Sequence, residues 1–189
     1  MDRFEDLDEL REHILGYIEA AVRHRDNAMT TPVFATDGPG ARTVALRQFA
    51  PDQRALLFHT DMRSKKVEQL EDNPRAIWLA WDRSLSQQFR LVGPTTVHAD
   101  DDIADALWES EPDEDLAFYY KTSPPGARAE KPTSGINTKV MSEEVARTNF
   151  AAVRTTVEEI IWLHLHPGGE YQAKFEWDGE EFAGHWVTP

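Results

Sequence analysis

The stretch RTVALRQFAPDQRALLFHTDMRSKK, residues 42–66, contains two β-strand patterns joined by a polar turn and followed by a basic helix start. Val44 and Leu46 alternate with small or polar neighbours, close to the period of two that a half-buried strand shows. Turn-forming residues follow at 51–54, and the run 55–58 is apolar again. The stretch therefore predicts two strands and, after them, a helix with cations at its start.

The charge of this stretch is opposite to that of the whole chain. Residues 42–66 hold six basic and two acidic residues, whereas the 189-residue chain has 20 basic and 34 acidic residues and a formal net charge of −14. A positive island in so acidic a protein indicates a small, strongly anionic ligand, for which phosphate is the natural candidate. The acidity elsewhere argues against nucleic acid as a partner, because a polyphosphate would be repelled over most of the surface.

Composition and length exclude several other classes of protein. The chain has no cysteine, which excludes disulfides, thiolate catalysis and cysteine-ligated metals. His164 and His166 are two residues apart on a predicted strand, but no third ligand is near in sequence, and we predict no metal site. The length predicts a single domain over 1–189. No apolar run reaches ~20 residues, and the acidic start MDRFEDLDEL is unlike a signal peptide, which predicts a cytoplasmic protein without a membrane partner.

Periodicity predicts mostly strands, with helices between them. The predicted strands cover 31–36, 42–47, 55–58, 75–81, 87–99, 157–166, 171–177 and 182–187. The predicted helices cover 5–26 and 65–72, a segment beginning near 102, and 142–156. Residues 122–136 read as a long loop. Without a GxGxxG motif, a P-loop or a βαβ rhythm, this pattern favours a small closed or split β-barrel over a parallel α/β sheet.

Four segments in order carry a family resemblance: RTVALR at 42–47, FHTD at 58–61, SKKVEQLEDNP at 64–74 and WDRSLSQQFRLVG at 81–93. Together they resemble the pyridoxamine 5′-phosphate oxidase superfamily, whose members bind flavin mononucleotide (FMN). The resemblance implies a mainly β (α+β) fold, an FMN-binding split β-barrel of antiparallel Greek-key type with peripheral helices. It also implies a homodimer with FMN at the subunit interface.

The resemblance assigns cofactor roles to individual positions. It implies that Arg42 and Lys66 hold the FMN phosphate, that the 43–47 strand runs beside the ring and ribityl chain, and that Gln88 bonds the ring. Lys65 stands where the family usually has arginine, which keeps the charge but loses the bidentate fork. The full implied set is Arg42, Thr43, Val44, Ala45, Arg47, His59, Thr60, Ser64, Lys65, Lys66 and Gln88.

The chain departs from the vitamin B6 oxidases near its C-terminus. Their substrate-gripping Arg-Leu-His motif is replaced by GEYQAKF at 169–175, the ending is WVTP at 186–189, and Leu163 stands where tryptophan is common. The resemblance therefore implies the cofactor and an FMN-dependent oxidoreductase of unassigned substrate and unknown catalytic residues, but not the vitamin B6 reaction. Two alternatives stay open: a non-catalytic flavin-binding module for storage or sensing, and a pocket adapted to another planar anion such as haem or a deazaflavin.

Overall fold

A computed structural model of the chain describes residues 3–38 and 40–189. The five helices described there are α1 (Leu7–Ala21), α2 (Lys65–Asp72), α3 (Asp102–Ser110), α4 (Asp113–Leu116) and α5 (Glu143–Asn149). The ten strands are β1 (Val33–Thr36), β2 (Gly40–Thr43), β3 (Gln48–Ala50), β4 (Ala55–Asp61), β5 (Arg75–Asp82), β6 (Gln87–His98), β7 (Phe150–Thr156), β8 (Glu159–His166), β9 (Gly169–Trp177) and β10 (Phe182–Val187). None of the described helices is long and apolar enough to cross a membrane.

Every described strand pairing is antiparallel, and the long strand β6 organises the sheet. The main path runs β10-β9-β8-β6-β5-β1-β2. Along one edge, β6 pairs first with β8, through residues 87–92, and then with β7, through residues 95–98. Gly93 lies at this change of partner, where an added Cβ would be only 1.9 Å from the Thr156 carbonyl oxygen. The sheet is thereby folded over without being closed, which confirms the predicted split barrel.

The predicted strand over 43–47 is interrupted in the structure. β2 ends at Thr43, and residues 44–47 carry no regular strand. The Val44 and Leu46 amides still donate to the carbonyls of Pro32 and Thr30, at 3.1 and 2.9 Å, and the Arg47 amide then donates to the Leu57 carbonyl at 2.8 Å. The chain changes partner here, from the β1 side to β4, and the strand pattern is interrupted over this change.

The helix predicted over 142–156 is wrong in its second half. α5 starts as predicted, with the Ser142 hydroxyl accepting the Val145 amide at 3.4 Å, but it ends at Asn149. Residues 150–156 form β7, which lies between β4 and β6 and is buried on both faces over 150–153. A strand buried on both faces has no alternating pattern, so short apolar runs of this kind are ambiguous in sequence.

Two apolar cores and one uncovered sheet face define the surroundings of the site. α1 buries Leu10, Ile14 and Ile18 in the main core, on the inner face of the sheet. A smaller core on the other side of β4 and β7 contains Trp108, Tyr119 and Phe150. The opposite face of the main sheet, which we call the outward face, is mostly apolar over β5, β6 and β8, although Trp81 there is 45% exposed. In these strands the outward face consists of Ile77, Leu79, Trp81, Gln88, Arg90, Val92, Glu159, Ile161, Leu163 and Leu165.

Candidate functional site

Arg42 lies on the edge strand β2 and reaches toward helix α2. Its Nη1 atom donates to Thr36 Oγ1 at 2.9 Å and to the Phe34 carbonyl at 3.4 Å. Its Nη2 atom donates to Gln69 Oε1 at 2.9 Å. These acceptors are all neutral, and they hold the guanidinium between the β1–β2 hairpin and the first half of α2.

Lys66 lies in the first turn of α2 and is held by two hydroxyl groups. Its Nζ atom donates to Thr60 Oγ1 at 2.7 Å and to Ser64 Oγ at 3.2 Å, and the two hydroxyl oxygens are 3.4 Å apart. Ser64 occupies the N-cap position as predicted, but its side chain makes no capping hydrogen bond. Its hydroxyl is engaged with Lys66 and Thr60 instead.

Arg42 and Lys66 together form a positively charged site without a counter-ion. Burial and then the charge of Arg42 lower the pKa of Lys66, and the more distant charge of Asp61 only partly offsets them; burial also lowers the pKa of Arg42. Among the described residues, no carboxylate oxygen lies within 4 Å of either cation. The carboxylate that does act on Lys66 electrostatically, Asp61, lies beyond this distance and is paired with Arg63 at 2.8 Å. A bound phosphate would supply the missing charge and accept several charge-assisted hydrogen bonds, so these residues fit the phosphate of FMN.

Three residues of this site have no place in the sequence-based prediction: Thr36, Gly40 and Gln69. A Cβ at Gly40 would lie 2.4 Å from Thr36 Oγ1 and 2.7 Å from Gln69 Oε1, so only glycine permits their close approach. Gln69 follows Lys66 by three residues on the same helix face, a spacing that could have indicated it. Thr36 could not be found in this way, because its position depends on the register of the hairpin, which pairs it with Gly40.

Several of the other predicted cofactor residues lie away from the two cations. Lys65 pairs with Glu68 on the helix surface, and its side chain is 75% exposed. Thr43 is exposed, whereas Val44 packs against the main core. Flavin contacts for these residues stay predictions.

Arg47 and His59 belong to a separate polar cluster. Arg47 Nη1 lies 2.8 Å from Asp115 and 3.1 Å from Glu111, and His59 Nδ1 is hydrogen-bonded to the Tyr119 hydroxyl. Because side chains alternate along a strand, His59 and Thr60 point to opposite faces of β4. Ala45 lies with Arg47, Glu111 and Asp115 in the lining of a cavity of about 530 Å³. The structure therefore does not bring these predicted residues to the Thr60 and Ser64 hydroxyls that bind Lys66.

Burial controls protonation in this second cluster. Burial, and then the charge of Arg47, lower the pKa of His59 to about 4. Burial raises the pKa of Glu111 and, more strongly, that of Tyr119. His59 is therefore neutral at physiological pH, and one of its ring nitrogens, Nε2, is buried without a hydrogen-bond partner among the described residues.

Gln88 lies on the outward face, between Trp81 of β5 and Leu163 of β8. Arg42 is three strand spacings away across β5, β1 and β2, or roughly 14 Å, and it lies on the opposite face of the sheet. Within one chain, Gln88 and the two cations are therefore separate.

Parts of this chain are similar to known proteins. Residues 14–99 match the family model described as pyridoxamine 5′-phosphate oxidase, FMN-binding domain. A pyridoxine/pyridoxamine 5′-phosphate oxidase from Nostoc punctiforme is 32% identical over 120 residues, which are 63% of this chain and 49% of the relative. A protein of the same name from Bordetella avium is 38% identical over 96 residues, which are 50% of this chain and 44% of the relative. The chain thus spans about half the length of the curated relatives it matches.

Two solved structures share the fold. A pyridoxamine 5′-phosphate oxidase-related, FMN-binding protein from Nostoc punctiforme has a TM-score of 0.71 at 21% identity, covering 94% of this chain and 96% of its own. PhzG from Burkholderia lata has a TM-score of 0.66 at 17% identity, covering 100% of this chain and 95% of its own. The matched range contains Arg42, Lys66 and Gln88, and the description of the family model names FMN as the cofactor of the domain. Residues 14–99 of this chain are therefore similar to the FMN-binding domain of the pyridoxamine 5′-phosphate oxidase family.

Proposed function

We propose that the protein is an FMN-dependent oxidoreductase. The observation that carries the proposal is the pair Arg42 and Lys66. Both are partly buried cations, and each donates hydrogen bonds only to neutral oxygens. They would hold the phosphate of FMN, and the hydroxyls of Thr60 and Ser64 can turn to donate to it. The bound flavin would supply hydride or electron transfer, and the protein would supply orientation and electrostatics.

We further propose a homodimer in which two chains share each flavin. The outward face is an apolar surface on a folded chain, with Trp81 45% and Leu165 41% exposed, and such a face favours burial against another surface. Gln88 lies on the same face, apart from the phosphate-binding cations. A second copy seated there would place the Gln88 side chains inside an interface, where one of them could reach a flavin held by the other chain.

The substrate we propose is not a vitamin B6 phosphate. The stretch 169–175, where those oxidases carry the arginine and histidine that grip substrate, reads GEYQAKF in β9. Arg47 is bound by Glu111 and Asp115, so this cation is already neutralised. The relatives are named for the vitamin B6 reaction, but the chain matches only about half of their length.

The cofactor proposal is tested by titrating the apoprotein with FMN and with riboflavin, which lacks the phosphate. Lys66→Met and Arg42→Met should each weaken FMN binding by about 10- to 100-fold, the loss expected for charged hydrogen bonds, and leave riboflavin binding unchanged. Lys65→Met removes the same charge from the adjacent, exposed residue and should have little effect. Equal losses for FMN and riboflavin, or equal effects at Lys65 and Lys66, would refute the assignment of the phosphate site.

The second candidate is a flavin-binding module without turnover. It is favoured by the side chains around Arg42 and Lys66, because the described ones that bond to them are hydroxyls and one amide, with no general acid or base. Anaerobic mixing of the FMN-loaded protein with NADH or NADPH distinguishes the two functions. Bleaching of the flavin absorbance, followed by reoxidation in air, supports the enzyme; a flavin that neither these nor a panel of organic donors reduces supports the module.

A further inference from the structure

A cavity of about 370 Å³ opens at the split of the barrel, away from the Arg42–Lys66 site, and shares none of that site's residues. Its bottom is formed by the main-core residues Ile18, Leu91 and Ile160, each no more than 1% exposed. Phe49 and Trp177 form part of its walls. A concave, largely apolar space of this size matches the small-molecule sites of proteins.

Arg54 stands at the mouth of this cavity in a strained conformation. Its φ of +53° is in the left-handed region, which costs a residue with a side chain roughly 1–2 kcal/mol and is usually left to glycine or asparagine. The guanidinium carbon lies 4.0 Å from the centre of the Trp177 ring, and Nη1 donates to the Val157 carbonyl at 3.0 Å. Arg54 thus combines a strained backbone with a side chain that is held over the Trp177 ring.

The charge of Arg54 is unpaired. No carboxylate oxygen among the described residues lies within 4 Å of it, whereas Arg11, the other cation of the cavity, pairs with Asp8 at 2.9 Å and with Glu181 at 3.5 Å. A guanidinium has five donors in a planar fork that matches a carboxylate, and the guanidinium of Arg54 makes only one hydrogen bond to the described protein. The mouth of an apolar cavity therefore presents a fixed, largely unused carboxylate-binding group.

We propose that this cavity binds a small monocarboxylate with a flat aromatic or apolar body. The body lies against Trp177 and the apolar bottom, and the carboxylate pairs with Arg54. Three exposed carboxylates line the rim: Glu181 is paired with Arg11, whereas Asp52 and Glu180 oppose an anion and limit the affinity. The site is independent of the flavin and of the proposed oxidoreductase activity.

A pair of probes with the same ring and opposite charge tests the proposal. The FMN-loaded, isotope-labelled protein is titrated with indole-3-propionate and with tryptamine, and amide and indole N–H resonances are followed by NMR. Indole-3-propionate should shift the resonances of Arg54 and Trp177 and bind at least about tenfold more tightly than tryptamine, as one charge-assisted pair predicts. Equal or reversed affinities, or no shifts at these residues at millimolar probe, would overturn the proposal.

Variants at the mouth separate recognition from structural damage. Arg54→Gly removes the guanidinium and relieves the left-handed strain, so it should fold and bind indole-3-propionate at least about tenfold more weakly. Arg54→Lys keeps the charge without the fork and should fall between the two. Asp52→Asn removes an exposed repulsive charge and should tighten binding. Wild-type affinity in Arg54→Gly, or weaker binding in Asp52→Asn, contradicts the assignment.

Discussion

Burial, and then the charge of Arg42, lower the pKa of Lys66, although the two residues come from a sheet edge and from a helix start. Like charges repel, and burial makes the repulsion more costly because water screens it less. Both side chains nevertheless donate to neutral oxygens and lack a carboxylate partner among the described residues. The fold thus keeps an unfavourable arrangement that a bound anion would relieve.

Lys66→Met should leave the stability of the apoprotein at pH 7 unchanged or higher. The pKa of Lys66 is lowered in the folded state, so its charged form costs stability at neutral pH, and that cost disappears as the pH rises toward 10.5. The advantage of the variant should therefore shrink as the pH rises toward 10.5. Thermal unfolding of apo Lys66→Met, with the exposed Lys65→Met as control, measures this. A variant that melts several degrees lower at pH 7 contradicts the interpretation.

Leu163→Glu should convert the proposed dimer to a monomer and weaken FMN binding. Leu163 lies beside Gln88 in the middle of the outward face, and a buried, unpaired carboxylate there would cost several kcal/mol. Sedimentation equilibrium and FMN titration give the two readouts. Val145→Glu adds the same charge to an exposed position on helix α5, outside the main sheet, and should change neither. A wild-type protein that is monomeric with FMN bound would remove the basis of the prediction.

Gly93→Ala should destabilise the protein by about 3 kcal/mol or more. The new methyl would meet the Thr156 carbonyl at 1.9 Å, and both groups are backbone that must move. Gly16→Ala is the matched control, since nothing lies within 4 Å of its Cβ position on α1. It should stabilise the chain by about 0.5–1 kcal/mol through helix propensity. Denaturant unfolding of both variants gives their free energies of unfolding. Similar free energies for the two variants would show that position 93, where β6 changes partner, tolerates a side chain.

His59→Gln should lose less of its free energy of unfolding than the wild type when the pH falls from 6.5 to 4. The folded pKa of His59 is about 4 and its unfolded value is 6.5, so the unfolded state binds the additional proton in this window. Stability from this group is complete above pH 6.5 and is lost toward pH 4, by up to about 3 kcal/mol. The slopes of unfolding free energy against pH for wild type and variant isolate the effect, because Glu111 is present in both. Exposed His24→Gln should keep the wild-type slope; parallel curves for His59→Gln would contradict the burial argument.

Local sequence predicted the elements whose signals are local. Helix α2 has the predicted bounds, Lys65–Asp72, because an apolar spacing and the Asn73-Pro74 stop lie within a few residues. The β1–β2 hairpin formed as expected, and β10 has its predicted bounds. The prediction that the last helix continues to Thr156 is wrong, because residues 150–156 form a strand. A strand that is buried on both faces has no alternating pattern, so its sequence does not distinguish it from a helix.

The sequence by itself determined that Arg42 and Lys66 belong to one anion-binding stretch, since charge and motif order are properties of the chain alone. Only the tertiary structure decided which neighbours hold them: Thr36 and Gln69 meet Arg42 because hairpin register and helix packing bring distant residues within hydrogen-bond distance. The tertiary structure also separated His59 from Thr60. Adjacent side chains of a strand point to opposite faces. Because β4 packs between two cores, each of its faces has a different environment.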